Sequence, residues 1–159
     1  MLTCTSSIEG TVKRTVATVV ALVCLLAPVA SEGQARPDRE GVRQAVLDYV
    51  EGFYEGDSTR FVRSVSPEVF KSGYFLPKDS TRYQPSRMSW PEFHAYANRV
   101  KANDRQQPAT AKKEIVVYDV LDQTASAKLT AYWGVDYLLL AKQEGRWKIT
   151  HVLWQTPPK

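Results

Sequence analysis

Hydrophobic spacing changes once along this chain, and that change sets the fold class. Over DREGVRQAVLDYVEGFYEGD, apolar Val42, Ala45, Val46, Tyr49, Val50 and Phe53 recur every three or four residues. That spacing makes one stripe of an amphipathic helix, with Asp38 available as its cap and Gly56 as its stop. Gly52 inside it costs helix stability and suggests a close approach by another element. Asp57 or Ser58 can cap a second, short helix over TRFVRSV, closed by Pro67. VFKSGYFLP reads as a short strand, and KDSTRYQPSR as a loop. Ser89, followed by Pro91, starts a third helix through SWPEFHAYANRVKAND. From Lys112 the period becomes two. KKEIVVYDVLD, ASAKLTAYW, DYLLLAK and RWKITHVLWQ read as four successive strands, the last two joined at the turn signal Glu144-Gly145. The expected class is α+β, with three N-terminal helices packed on the concave face of a curved, mostly antiparallel sheet.

The 159-residue chain allows one such domain. Residues 1–35 read as a cleavable signal peptide. Lys13 and Arg14 precede the apolar VATVVALVCLLAPV, and small residues follow it. The apolar run is about 15 residues, short of the roughly 20 that span a bilayer. An uncleaved anchor is the alternative. Residues 36–159 then form the mature domain, exported to the periplasm or the exterior. Both cysteines, Cys4 and Cys24, fall within the signal, so the mature chain has no disulfide, thiolate nucleophile or cysteine metal site. Val23 before Cys24 argues against lipidation. The net charge of +4 comes from scattered residues rather than a basic run, which argues against a nucleic-acid partner. No phosphate loop, nucleophile elbow or H-E-x-x-H motif is present, and His94 and His151 have no ligand spacing. No metal or cofactor is expected. Eight Tyr, four Trp and five Phe, all beyond residue 35, are enough to fill a core and line a cavity.

Particular residues carry a resemblance. Tyr49 and Phe53 precede Glu55-Gly56-Asp57, and Phe61 follows. Near the end, Asp136-Tyr137-Leu138-Leu139-Leu140 precedes Gly145-Arg146-Trp147-Lys148-Ile149. In this order they resemble the nuclear transport factor 2-like superfamily, a cystatin-like α+β cone. They are most similar to its exported group called putative lumazine-binding proteins, which pair a D-Y-L strand with a G-x-W-K-I strand. The resemblance spans about residues 38–155. It implies a cone-shaped cavity. Superfamily members include ketosteroid isomerases, SnoaL-like cyclases, dehydratases and proteins that only bind or dimerise.

Three functional readings follow. The first is an exported binder of a small apolar or aromatic molecule, in a cavity of a few hundred cubic ångströms. Its candidate lining residues are His151, Trp147, Asp136, Trp133, Tyr74, Trp90 and Tyr49. Strict alternation puts His151 and Leu153 on the inward face with Trp147 and Ile149. The second is a cofactor-free isomerase, dehydratase or cyclase in which His151 and Asp136 share proton transfer. The third is a homodimerisation module. The resemblance implies pairing through the outer sheet face, here Lys148, Thr150, Val152 and Trp154, with Val152 and Trp154 as interface residues. His94 reads as a partly exposed surface histidine, and Lys78, Arg82 and Arg87 as solvated loop residues.

Overall fold

The computed structural model describes residues 32–158. The expected signal segment lies outside the described residues except for 32–35. Three helices, α1 (Glu32–Glu55), α2 (Ser58–Ser64) and α3 (Trp90–Ala102), are interleaved with six strands. The strands are β1 (Val65–Phe75), β2 (Gln84–Met88), β3 (Lys113–Val120), β4 (Thr124–Ala131), β5 (Gly134–Gln143) and β6 (Arg146–Gln155). They form one curved sheet in the order β2-β1-β6-β5-β4-β3. Every pairing is antiparallel except β1 with β6, which is parallel. The helices pack on one face of the sheet, as the hydrophobic periods require. Among the described residues, no helix is long and apolar enough to cross a membrane.

The predicted stripe of α1 is its buried face: Val42, Val46, Tyr49 and Val50 have no exposed surface. Each such side chain contributes roughly 1.5–3 kcal/mol through burial. They meet the inward residues of β4, Ala125, Ala127, Leu129 and Ala131. α1 starts before Asp38, so Asp38 is not its cap. The Asp38 carboxylate instead accepts from Trp147 Nε1 (3.1 Å) and pairs with Lys142 (2.5 Å). α2 is capped by Asp57, which accepts from the Thr59 N–H at 3.0 Å. Arg60 on α2 reaches Asp48 (2.9 Å) and Glu51 (2.8 Å) on α1, and Glu51 also holds Lys113 of β3 (2.8 Å). α3 begins as expected: Pro91 sits in its first turn, and Glu92 accepts from the Ser89 N–H at 2.6 Å.

Further features depart from the pattern. α2 ends at Ser64, and Pro67 lies within β1 rather than closing the helix. The segment read as a loop contains β2, an edge strand antiparallel to β1. Pro85 is tolerated there because an edge strand leaves one row of N–H groups unpaired. In β6, Leu139 pairs with His151 but Leu140 pairs with Ile149, which leaves Thr150 as an extra residue. This bulge reverses the alternation downstream. Trp147 and Ile149 point inward, but so do Val152 (2 % exposed) and Trp154, while His151 and Leu153 face out. Val152 is therefore core rather than interface.

Gly52 has the role its position suggested. A Cβ there would stand 2.5 Å from Phe61 Cε1. Helix propensity alone would make Gly52→Ala stabilising by about 1 kcal/mol. Overpacking against the buried ring should win and cost about 1–3 kcal/mol. Thermal denaturation should show a lowered melting temperature; a raised one would mean α1 and α2 are not packed this closely.

Candidate functional site

One buried carboxylate gathers residues from three elements. Gly134 opens β5 at φ +137, a backbone angle that L side chains rarely adopt, and its missing Cβ lets the strand lie against the Gln155 carbonyl. The first fully buried polar side chain after it is Asp136, which has no exposed surface. Its Oδ2 accepts from the Tyr49 hydroxyl (2.6 Å) and its Oδ1 from Trp133 Nε1 (2.7 Å). Lys71 of β1, 7 % exposed, stands 3.7 Å from the same carboxylate and donates to the Tyr49 oxygen at 2.5 Å. The order is therefore Lys71 to Tyr49 to Asp136, with Trp133 closing the other side.

The electrostatics follow from burial. Desolvation lowers the Lys71 ammonium from its ordinary value, and Asp136 partly offsets this. Burial, reinforced by Asp136, holds the Tyr49 phenol well above its ordinary value, so Tyr49 stays a neutral donor. The rings of Phe53, Tyr49, Phe93, Trp133 and Trp154 surround Lys71 Nζ at 4.7, 5.0, 5.6, 5.8 and 5.9 Å from their centroids. These contacts return part of the hydration lost on burial.

Lys71 also lines a recess that opens to solvent. Its other walls are Phe53, Met88, Tyr96, Tyr132, Trp133 and Trp154. Its volume is about 140 Å³, the size of a single aromatic ring and smaller than the few hundred expected. The Tyr96 and Tyr132 hydroxyls bond to each other at 3.0 Å. Trp154 Nε1 is the one buried side-chain nitrogen or oxygen without a partner among the described residues.

The predicted candidates divide. Tyr49, Trp133 and Asp136 come together, with Trp133 in the recess wall and the other two directly bonded behind it. Trp154, expected on the outer face, is in the wall instead, because of the bulge at Thr150. Trp147 is buried but bonds Asp38, away from the recess. Trp90 packs on Phe93 and His94 (centroids 6.1 and 4.6 Å) and is not in the wall. Tyr74 lies on the outer face, 49 % exposed, because the inward positions of β1 are Val69, Lys71 and Gly73. His151 is exposed on that same outer face, 6.3 Å from the Phe70 ring, with Nδ1 3.2 Å from the Thr150 hydroxyl. His151 and Asp136 are thus on opposite sides of the sheet, and a shared proton transfer between them is ruled out. Lys71 was missed. Its signal was present in its shared parity with Val69 and Gly73, but Phe70 and Tyr74 made the opposite face look like the apolar one.

Comparison with known proteins places this geometry. A family model described as "Putative lumazine-binding" matches residues 37–155. The chain belongs to that family. Solved structures agree on the fold of this lumazine-binding family member. It is similar to a nuclear transport factor 2-like protein of unknown function from Shewanella baltica OS155, with 19 % identity and TM-score 0.56, covering 78 % of this chain and 97 % of that one. A counterpart from Silicibacter pomeroyi DSS-3 gives 17 % identity and TM-score 0.58, covering 77 % and 98 %. A third, from Novosphingobium aromaticivorans and described with a cystatin-like fold, gives 11 % identity and TM-score 0.58, covering 84 % and 91 %. No curated protein matches the chain.

Removing one member of a buried ion pair strands the other charge, at about 3–5 kcal/mol. Lys71→Met should lose that much in chemical denaturation, and Lys71→Met with Asp136→Asn should recover a large part of it. A Lys71→Met loss below about 0.5 kcal/mol would show the pair to be solvated.

Proposed function

We propose that this lumazine-binding family member is an exported domain that holds a small, neutral aromatic carbonyl compound in the recess, without a cofactor. Export rests on the character of residues 1–35. One observation carries the ligand assignment: the apolar recess is lined by a buried donor with spare capacity, Lys71. Lys71 Nζ has three N–H groups and makes one hydrogen bond, to Tyr49. An unmet buried donor is costly, and a ligand acceptor would relieve it. Lys71 and Asp136 cancel in charge, so a carboxylate ligand would leave a net buried negative charge, whereas a neutral carbonyl would not. The aromatic walls favour a flat ring.

The test is titration by tryptophan fluorescence, since Trp133 and Trp154 are in the wall. Benzamide and lumazine should bind, and benzoate should bind at least tenfold more weakly, about 1.4 kcal/mol. Met88→Trp, on the edge strand, should block binding and leave the fold intact. No binding of either neutral compound at millimolar concentration would refute the assignment.

A second reading, homodimerisation, is favoured by the outer sheet face. Phe70 (49 %), Tyr137 (52 %), Leu139 (54 %) and Leu153 (53 %) are all about half exposed there. They are cross-strand neighbours through the pairs Phe70–His151, Leu139–His151 and Tyr137–Leu153. An apolar patch of this kind marks an interaction surface. Light scattering should give twice the chain mass, falling to the chain mass for Leu153→Glu. A wild-type monomer at high concentration would remove this reading.

A further inference from the structure

We propose that Lys71 is a nucleophilic amine that condenses with a small aromatic aldehyde or ketone in the recess, forming an imine and releasing water. This rests on the recess being a small-molecule site. It adds a covalent step that neither the family nor the fold implies.

The geometry supplies what such a step needs. An amine attacks a carbonyl only as the free base, and a lysine beside a carboxylate is ordinarily protonated. Here the two are joined through one hydroxyl: Lys71 donates to Tyr49 at 2.5 Å, and Tyr49 donates to Asp136 at 2.6 Å. A shift of one proton along each bond takes a proton from Lys71 to Asp136 and leaves amine and acid both neutral. Burial narrows the gap between that neutral pair and the ion pair, because both groups are out of water, so the free amine is within reach. Desolvation acts in the same direction on the Lys71 ammonium.

The remaining chemistry is local. The Nζ lone pair attacks the carbonyl carbon, the C–N bond forms and the π pair moves to oxygen. Both amine hydrogens end on that oxygen, which leaves as water through the open side of the recess. Tyr49 acts as a positioning and relay residue and does not touch the ligand. The ring of the aldehyde takes the space between Phe53, Trp133 and Trp154.

The experiment uses the folded wild-type protein, benzaldehyde and cyanoborohydride at neutral pH, with peptide mapping by mass spectrometry. The hydride traps the imine as a benzyl amine. Lys71 should be modified at least tenfold faster than exposed lysines such as Lys101 and Lys112, and unreactive benzamide should compete. Tyr49→Phe retains the amine but breaks the relay. It should slow trapping at Lys71 at least tenfold and move its pH profile to more alkaline values. Adducts confined to exposed lysines, while benzamide still binds, would overturn the covalent step alone. Failure of benzamide to bind would overturn the recess as a site and this step with it. The wild-type map decides the question even if the Tyr49 variant does not fold.

Discussion

The Asp136 carboxylate is the point on which the rest of the structure depends. It is fully buried, and its partners come from separate parts of the chain: Tyr49 from α1, Trp133 from the turn before β5, and Lys71 from β1. A bare carboxylate in such a position would be prohibitive, so all these elements must dock together for the charge to be tolerated. The same requirement fixes the register. A one-residue slip of β5 would turn Asp136 out to water and bring Val135 or Tyr137 in. The polar cluster therefore specifies the geometry, and the surrounding apolar contacts supply most of the stability.

That cluster also explains why the recess is where it is. Lys71 spans the distance from the sheet to Tyr49 with its long stem packed among rings, so its ammonium is at the border between core and recess. The side toward Asp136 is saturated, whereas the side toward the recess is not. The asymmetry gives a structural domain a chemically directed wall. It also separates two surfaces of β6. Its inward face, through Trp154, belongs to the recess, and its outward face, through His151 and Leu153, belongs to an exposed apolar patch.

Much of this was legible in the sequence. The α1 stripe, the alternation of β4 and the cap of α3 follow from local spacing, and each is where that spacing puts it. Asp136 was visible as an acid opening a strand after a glycine bend. What was not legible came from non-local causes. Nothing local to Thr150 marks it as an extra residue; the bulge shows only in the pairing of β6 with β5. One unpaired residue moved His151 and Leu153 out and Val152 and Trp154 in. Lys71 was hidden for a different reason. A lysine is normally assigned to water, and only its ion pair with Asp136, 65 positions away in sequence, makes burial tolerable. β2 was obscured by Pro85, whose lack of a donor is harmless only on an edge.

The most direct test is nuclear magnetic resonance of the Tyr49 hydroxyl proton. If Tyr49 is held between Lys71 and Asp136 away from water, its hydroxyl should appear as a resolved, slowly exchanging downfield resonance. It should show cross-relaxation to the Lys71 Nζ protons and to the Trp133 indole N–H. A hydroxyl that exchanges too fast with water to be seen, with the Lys71 ammonium behaving like those of the exposed lysines, would contradict the account.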